Sequence, residues 1–168
     1  EVELDSFTAS HERFEPVYET VRRTRAMIDE TVTMLGFAGS PWTVATYMIA
    51  GEGSKDQGPA RLLAYRDPAR LQAIVDAIVE TTVKYLRGQI DAGAEAVQLF
   101  DSWAGSLAPD EFERWVIAPN AAITAELKAS HPDVPVIGFP KGAGAKLPAY
   151  ARETGVDAIG MDETLDPA

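Results

Sequence analysis

Four short apolar segments, separated by long stretches of helical periodicity, constrain the fold of this 168-residue chain most strongly. The segments cover residues 31–38, 94–102, 134–142 and 156–163, and each is too short for an ordinary helix. Runs of this length and composition are typical of strands buried on both faces. Strands that alternate with helices predict a parallel sheet built from right-handed βαβ units.

Start and stop signals delimit the predicted helices. A capping side chain followed by proline favours a helix start, and glycine favours a helix end. The predicted helices cover residues 11–29, a segment after Ser40-Pro41, the interval from Asp67-Pro68 to Gly93, a segment after Pro109 that Pro119 kinks or splits, and residues 146–154 before Gly155. Residues 51–58, GEGSKDQG, are predicted to form a flexible polar loop.

Two architectures fit this alternation, a doubly wound open sheet and an arc of a (β/α)8 TIM barrel. No strand is followed by a G-x-G-x-x-G turn, and GAGAK at residues 142–146 lacks phosphate-loop spacing. Polar or aromatic residues instead follow each strand, at the edge where barrels build their sites. A complete barrel has eight strands and roughly 250 residues. We therefore predict an α/β chain of the barrel type with only about four βα units.

Charge and composition disfavour several classes of binding partner. The net charge is −11, from 15 basic and 26 acidic side chains, which disfavours broad nucleic-acid binding. The absence of cysteine removes disulfides and thiolate metal sites. No apolar run is as long as a membrane span, and no secretory leader opens the chain. We expect a cytoplasmic location, with neither membrane nor nucleic acid as a partner.

Three motifs resemble the uroporphyrinogen decarboxylase family. The first, GFAGSPWTVATYMIAG at residues 36–51, places two aromatic residues and a methionine where a strand continues into a helix. The others are GAEAVQLFDSWAG at residues 93–105 and TGVDAIGMDET at residues 154–164. The motifs occur in the family's order and at compatible spacing, and the resemblance is weakest over the first ten residues.

The resemblance implies a (β/α)8 barrel that assembles as a homodimer. Residues 1–168 would form a single segment from the central part of the barrel, without the family's N-terminal and C-terminal parts. The implied reaction is the cofactor-independent decarboxylation of the four acetate side chains of uroporphyrinogen III. The product, coproporphyrinogen III, belongs to haem biosynthesis.

The resemblance also implies roles for four residues. By position in the motifs, Tyr47 corresponds to the family's active-site tyrosine, and Ser102 to a hydroxyl residue that contacts the substrate. Phe37 and Phe100 correspond to apolar residues that pack against the macrocycle. The family's paired arginines, central aspartate and active-site histidine lie in segments that this chain does not contain. We therefore expect the segment alone to be inactive.

Other assignments of the strand-end residues stay open from the sequence alone. Asp101, Asp162 and Glu163 could hold a divalent cation, or could cap helices and pair with Lys141 or Arg152. Lys141 could form a Schiff base if it were desolvated.

For the other basic residues and the two histidines, the sequence gives weaker evidence of a functional role. Lys55, Arg61 and Arg66 are local candidates for attracting an acidic substrate, although a solvated helix face explains them as well. His11 and His131 are interpreted as surface or helix-end residues, and neither matches the family's histidine.

Alternative functions follow from the same residues. Tyr47 could be an aromatic at the edge of the core, Phe37 and Phe100 core residues, and Ser102 a turn residue. A related barrel methyltransferase acting on a corrinoid or thiol is one alternative, and a non-catalytic porphyrin-binding scaffold is another.

Overall fold

A parallel four-stranded sheet organises the chain. The computed structural model describes residues 11–53 and 56–165. The strands pair in the order β1-β2-β3-β4, and their bounds are Leu35–Gly39, Ala96–Asp101, Val136–Pro140 and Ala158–Ile159. A doubly wound sheet reverses its strand order at a switch point, whereas a barrel keeps strands in sequence. The sheet is therefore an arc of the barrel type, as predicted.

Seven α-helices connect or flank the strands in the described part of the chain. Their bounds are α1 His11–Met27, α2 Pro41–Ala50, α3 Gly58–Arg66, α4 Pro68–Asp91, α5 Pro109–Phe112, α6 Ala118–Ser130 and α7 Leu147–Glu153. Short 3-10 turns cover Ala104–Ser106 and Gly144–Lys146. Three consecutive helices, α2 to α4, thus join β1 to β2, and α3 was not predicted from the sequence.

A hydrophobic cluster packs on one face of the sheet, and a larger one joins α2, α3 and α4 to residues 104–117. Leu86 of α4 and Ile123 of α6 are fully buried against β2, where Leu99 is also fully buried. The opposite face, which we call the open face, leaves Leu35 48% and Phe37 59% exposed. The expectation that β1 is buried on both faces is therefore wrong for this chain, because its described helices cover only one face. In a complete barrel the open face is the packed interior.

The strands are shorter than the sequence pattern indicates. The first apolar run starts at residue 31, but β1 begins at Leu35. Asp29 accepts hydrogen bonds from the backbone N–H of Thr31 at 2.9 Å and from its hydroxyl at 2.6 Å, which forms a turn before the strand. The fourth strand pairs over only two residues.

The predicted interruption near Pro119 is present as a π-helical segment at Glu113–Ile117. Proline has no N–H to donate and its ring displaces the carbonyl of the preceding turn, so the helix widens before it. The Asn120 side chain donates to the carbonyl of Val116 at 2.8 Å, which satisfies part of the disturbed ladder.

The helix-end signals are confirmed with one difference. Asp67 accepts from the N–H of Arg70 at 3.1 Å and caps α4, and Gly93 and Gly155 have φ values of 116° and 71° where helices end. Ser40 does not cap α2 with its side chain. Its hydroxyl donates instead to Oδ1 of buried Asn120 at 3.0 Å, which connects the start of α2 to α6.

Candidate active site

Strand β1 leads directly into α2 at the carboxyl edge of the sheet, which we call the rim. The N–H of Ser40 donates to the carbonyl of Phe100 at 2.8 Å, so the β1–β2 ladder extends to the first residue before α2. Pro41 then opens the helix with a fixed φ. Trp42 is fully buried and donates from its indole nitrogen to the carbonyl of Trp103 at 3.3 Å. The start of α2 is therefore attached to the segment that follows β2.

Three phenylalanines line up across the open face. The Phe37 and Phe100 rings meet edge to face with centroids 5.9 Å apart, and the Phe100 and Phe139 rings do the same at 5.9 Å. Gly160 keeps room for the third ring, since a Cβ at this position would lie 2.5 Å from Cδ2 of Phe139. Phe139 was not predicted from the sequence as a site residue, although its place in VIGFP could have indicated a third aromatic on this face.

One predicted hydroxyl residue stands at the rim, and the other lies on the helix that starts there. Tyr47 lies on α2 with 45% of its surface exposed, and exposed Ser102 follows the last residue of β2. Within residues 11–53 and 56–165 neither hydroxyl has a hydrogen-bond partner, so both are free to bind a ligand. The structure brings Phe37 and Phe100 into ring contact. It links Tyr47 to Ser102 only indirectly, through Thr43 and the residues on either side of Ser102.

A buried carboxyl group lies immediately behind the rim. Asp101 is completely buried, and its Oδ1 accepts from the hydroxyl of Thr43 at 2.6 Å. Burial raises the pKa of Asp101 to about 7, while hydrogen bonds from the Thr43 side chain and from the backbones of Trp103 and Thr43 act in the opposite direction. Its Oδ2 has no hydrogen-bond partner among the described residues. From the sequence, Asp101 was predicted only as a possible cation ligand or as a helix cap and ion-pair partner.

Backbone packing holds the loop after β2 against the loop after β3. Gly105 donates its N–H to the carbonyl of Lys141 at 3.0 Å, and the amine of Lys146 donates to the carbonyl of Leu107 at 2.7 Å. A Cβ on Gly105 would lie 2.5 Å from the carbonyl oxygen of Gly142. The glycine in the WAG motif is therefore required for close approach of two backbones.

The strand-end carboxylates do not converge on a common point. Asp101 turns into the core, whereas Asp162 accepts from the N–H of Gly142 at 2.6 Å and from the N–H of Thr164 at 2.9 Å. These hydrogen bonds, with that of the Thr164 hydroxyl first, lower the pKa of Asp162. Glu163 is exposed. In the part of the chain that the structure describes, no three acidic or histidine side chains are grouped to bind a metal ion.

The other basic candidates remain in solvent. Lys141 is exposed, so it lacks the desolvation that Schiff-base chemistry needs. Arg61 and Arg66 are exposed on α3, and Lys55 lies outside the described residues. His131 caps the C-terminus of α6, and its ring nitrogen lies 3.2 Å from a carboxylate oxygen of Asp91, as expected of a helix-end residue. The side chain of His11, like Lys55, is not among the parts of the chain that the structure describes.

The sequence of this chain is similar to those of a known family. A family model described as uroporphyrinogen decarboxylase (URO-D) matches residues 2–168. The chain belongs to the uroporphyrinogen decarboxylase family. The membership predicted from the three motifs is therefore confirmed, and the strand-end rim described above is the rim of a uroporphyrinogen decarboxylase-type barrel.

Relatives in the uroporphyrinogen decarboxylase family are similar along the whole chain. A protein named uroporphyrinogen decarboxylase from Erythrobacter litoralis is 70% identical over 168 residues, which is 100% of this chain and 49% of the relative. One from Rhizorhabdus wittichii is 70% identical over 156 residues, 93% of this chain and 45% of the relative. One from Novosphingobium aromaticivorans is 65% identical over 164 residues, which is 98% of this chain and 48% of the relative.

The chain spans about half the length of the curated relatives it matches. Within the described residues, none of the helices combines the length and apolar character needed to cross a membrane.

Proposed function

We propose that the intact protein containing this chain removes the four acetate carboxyl groups of uroporphyrinogen III and forms coproporphyrinogen III. The observation that carries the proposal is the row of phenylalanine rings at the strand ends, in a member of this family whose Tyr47 and Ser102 hydroxyls have no partner among the described residues. An apolar surface edged by hydrogen-bonding groups suits a flat macrocycle with carboxylate arms.

The chemistry defines what the site must supply. When an acetate arm loses carbon dioxide, the C–C bond breaks and its electron pair needs an acceptor. Protonation of the adjacent pyrrole carbon creates a cationic ring that accepts the pair. A second proton then completes the methyl group, and the ring carbon releases the first proton, which restores the neutral pyrrole. A proton donor and a fixed negative group near the ring lower this barrier.

The residues of this chain would bind and orient the substrate. Tyr47 has an exposed hydroxyl that can donate to an acetate arm or to an acidic residue from another part of the barrel. Ser102 can fix a second carboxylate. Phe37 and Phe100 present ring edges and faces to the macrocycle. None of these roles needs a metal or coenzyme, and we propose a cofactor-independent lyase.

The proposal extends to the oligomeric state and the cellular location of the intact protein. The relatives' remaining length would supply the other strands of the barrel and the missing charged groups. We propose a cytoplasmic homodimer as the active form, and a segment of 168 residues that is inactive alone.

The direct test is turnover by the intact protein. We expect uroporphyrinogen III, kept reduced in the dark with EDTA present, to lose four carboxyl groups in steps resolved by chromatography of the oxidised porphyrins. An unchanged substrate would contradict the proposal. Bound zinc together with methyl transfer from a corrinoid or thiol would favour the methyltransferase instead, and porphyrin binding without product would favour the scaffold.

A further inference from the structure

The Thr43 hydroxyl stands between α2 and the end of β2. It donates to Oδ1 of Asp101 at 2.6 Å and accepts from the N–H of Trp103 at 3.3 Å. Thr43 is 7% and Asp101 0% exposed, so water competes little for these bonds. One buried side chain on α2 therefore contacts both neighbours of Ser102.

The same side chain is connected to Tyr47 through the helix. Residues four apart on an α-helix lie on one face, one turn from each other, and Thr43 precedes Tyr47 by four positions within Pro41–Ala50. The orientation of Tyr47 therefore depends on how Thr43 fixes the rotation of α2. Because Ser102 lies between Asp101 and Trp103, its position depends on the same hydroxyl.

The burial of Asp101 is not explained by stability. A buried carboxyl with one unpartnered oxygen destabilises a fold relative to an apolar residue of similar volume. The raised pKa of Asp101, about 7, expresses this desolvation. Asp101 weakens the core, but through Thr43 it also fixes the positions of Tyr47 and Ser102. We therefore attribute the presence of a carboxyl group here to this positioning.

We infer that Thr43 is a positioning residue, whose hydroxyl, held by the buried Asp101 carboxyl, sets the placement of Tyr47 relative to Ser102 for the decarboxylation. This inference rests on the proposed function. It assigns to Asp101 and Thr43 no contact with substrate, and it predicts that their effect on turnover disappears when Tyr47 and Ser102 can no longer act.

The first experiment compares two substitutions at Thr43 in the intact protein. Thr43→Val keeps the shape of the side chain and removes the hydroxyl, whereas Thr43→Ser keeps the hydroxyl. Because small displacements of positioning groups reduce rates by up to about 100-fold, we expect kcat/KM to fall roughly 10- to 100-fold in Thr43→Val. We expect Thr43→Ser to stay within about threefold of the wild type.

The second experiment is a mutant cycle that a merely structural role would not satisfy. In a Tyr47→Phe/Ser102→Ala background, adding Thr43→Val should lower the residual kcat/KM by about twofold or less. Circular dichroism and thermal unfolding establish that each variant is folded. If Thr43→Val does not fold, Thr43→Ala, which removes the same hydroxyl without a β-branch, takes its place.

The outcomes separate this inference from the proposed function. A wild-type protein that does not decarboxylate uroporphyrinogen contradicts the function. An active wild type whose Thr43→Val loss is equally large in both backgrounds, or whose Thr43→Ser variant is as impaired as Thr43→Val, overturns the positioning role alone.

Discussion

Asp101 and Tyr150 are buried on the helix-covered side of the sheet, close enough for the charge of one to affect the other. Burial raises the pKa of the Tyr150 hydroxyl, and the Asp101 carboxylate raises it further. Among the described residues neither the Tyr150 hydroxyl oxygen nor Oδ2 of Asp101 has a hydrogen-bond partner. Because burial raises the pKa of Asp101 to about 7, ionising Asp101 places a desolvated charge in the core, which makes folding sensitive to pH.

The first prediction is that Asp101 makes the folded state less stable as pH rises through the weakly acidic range. Its pKa is raised from 3.8 to about 7 on folding, so the native state holds the proton more tightly than the unfolded chain. The associated stabilisation is complete below about pH 4 and lost by about pH 7, with a limiting slope of about 1.4 kcal/mol per pH unit. Chemical unfolding of the intact protein at several pH values measures it.

The control for the pH prediction is Asp101→Asn, which has no proton to lose. We expect the variant's stability relative to the wild type to increase between about pH 4 and pH 7 and to level off above that range. Carboxyls with lowered pKa, such as Asp157 and Asp162, contribute at lower pH and equally in both proteins. A difference that stays constant with pH would contradict the prediction.

The second prediction concerns the Tyr47 hydroxyl. Tyr47→Phe in the intact protein removes a donor that has no partner among the described residues, so we expect stability to change by less than about 0.5 kcal/mol. A hydrogen bond to a charged group contributes about 1.5–3 kcal/mol, so kcat should fall by roughly 10- to 100-fold. Steady-state kinetics and thermal unfolding measure the two effects.

Tyr65→Phe is the matched control for Tyr47→Phe. Tyr65 is 65% exposed on α3, and its substitution removes the same hydroxyl away from the rim. We expect kcat to remain within about twofold of the wild type. Equal turnover in Tyr47→Phe and Tyr65→Phe would remove the role assigned to Tyr47.

The third prediction is that Gly105→Ala separates the loops after β2 and β3. The added methyl group would meet the Gly142 carbonyl oxygen at 2.5 Å, and a backbone atom cannot move aside as a side chain does. We expect a loss of about 1–3 kcal/mol in the free energy of unfolding. Gly39→Ala is the comparison, because its methyl group would meet only the end of the Val44 side chain at 3.0 Å.

We expect Gly39→Ala to change stability by less than about 1 kcal/mol, since glycine is itself unfavourable inside a strand. Denaturant unfolding of both variants gives the ranking. A larger loss of stability in Gly39→Ala than in Gly105→Ala would contradict the prediction.

The fourth prediction is that residues 1–168 alone self-associate through the open face. Phe37 is 59% and Phe100 38% exposed, and neighbouring Leu35 is 48% exposed. Contiguous apolar surface of this kind drives association in water. Light scattering coupled to size-exclusion chromatography should show oligomers at micromolar concentration, and Phe37→Ser/Phe100→Ser should shift the population towards monomer.

Leu62→Ser tests whether any exposed apolar residue would act similarly. Leu62 is 48% exposed on α3, away from the sheet. We expect its substitution to leave the oligomers unchanged. A monodisperse wild-type monomer, or an equal effect of Leu62→Ser, would show that the open face does not drive association.

The elements that the sequence predicts well are those with local physical causes. The Asp67 cap and the Gly93 stop define α4 because capping and left-handed φ values involve only neighbouring residues. The start of β1 was predicted four residues too early, because apolar composition does not reveal the turn that Asp29 makes with Thr31. Helix α3 was not predicted because it begins at the end of residues 51–58, whose polar, glycine-rich composition favours a loop.

The candidate site was predicted in part. Motif position selected Phe37, Phe100, Tyr47 and Ser102, and the ring contact of the two phenylalanines agrees with a shared surface. The functional roles of all four stay predictions. The place of Phe139 in VIGFP could have indicated an aromatic on the open face, but its contact with Phe100 depends on the β2–β3 register, which the sequence pattern does not specify.

The sequence by itself determined the alternation of strands and helices, the helix ends and the family, since periodicity, capping and motif order are properties of the chain. Only the tertiary structure decided that Asp101 turns into the core and meets Thr43, 58 positions away. Side-chain direction at a strand end depends on pleat and register, and a buried hydrogen bond forms only when two distant elements pack. The connection between Tyr47 and Ser102 therefore emerges from packing.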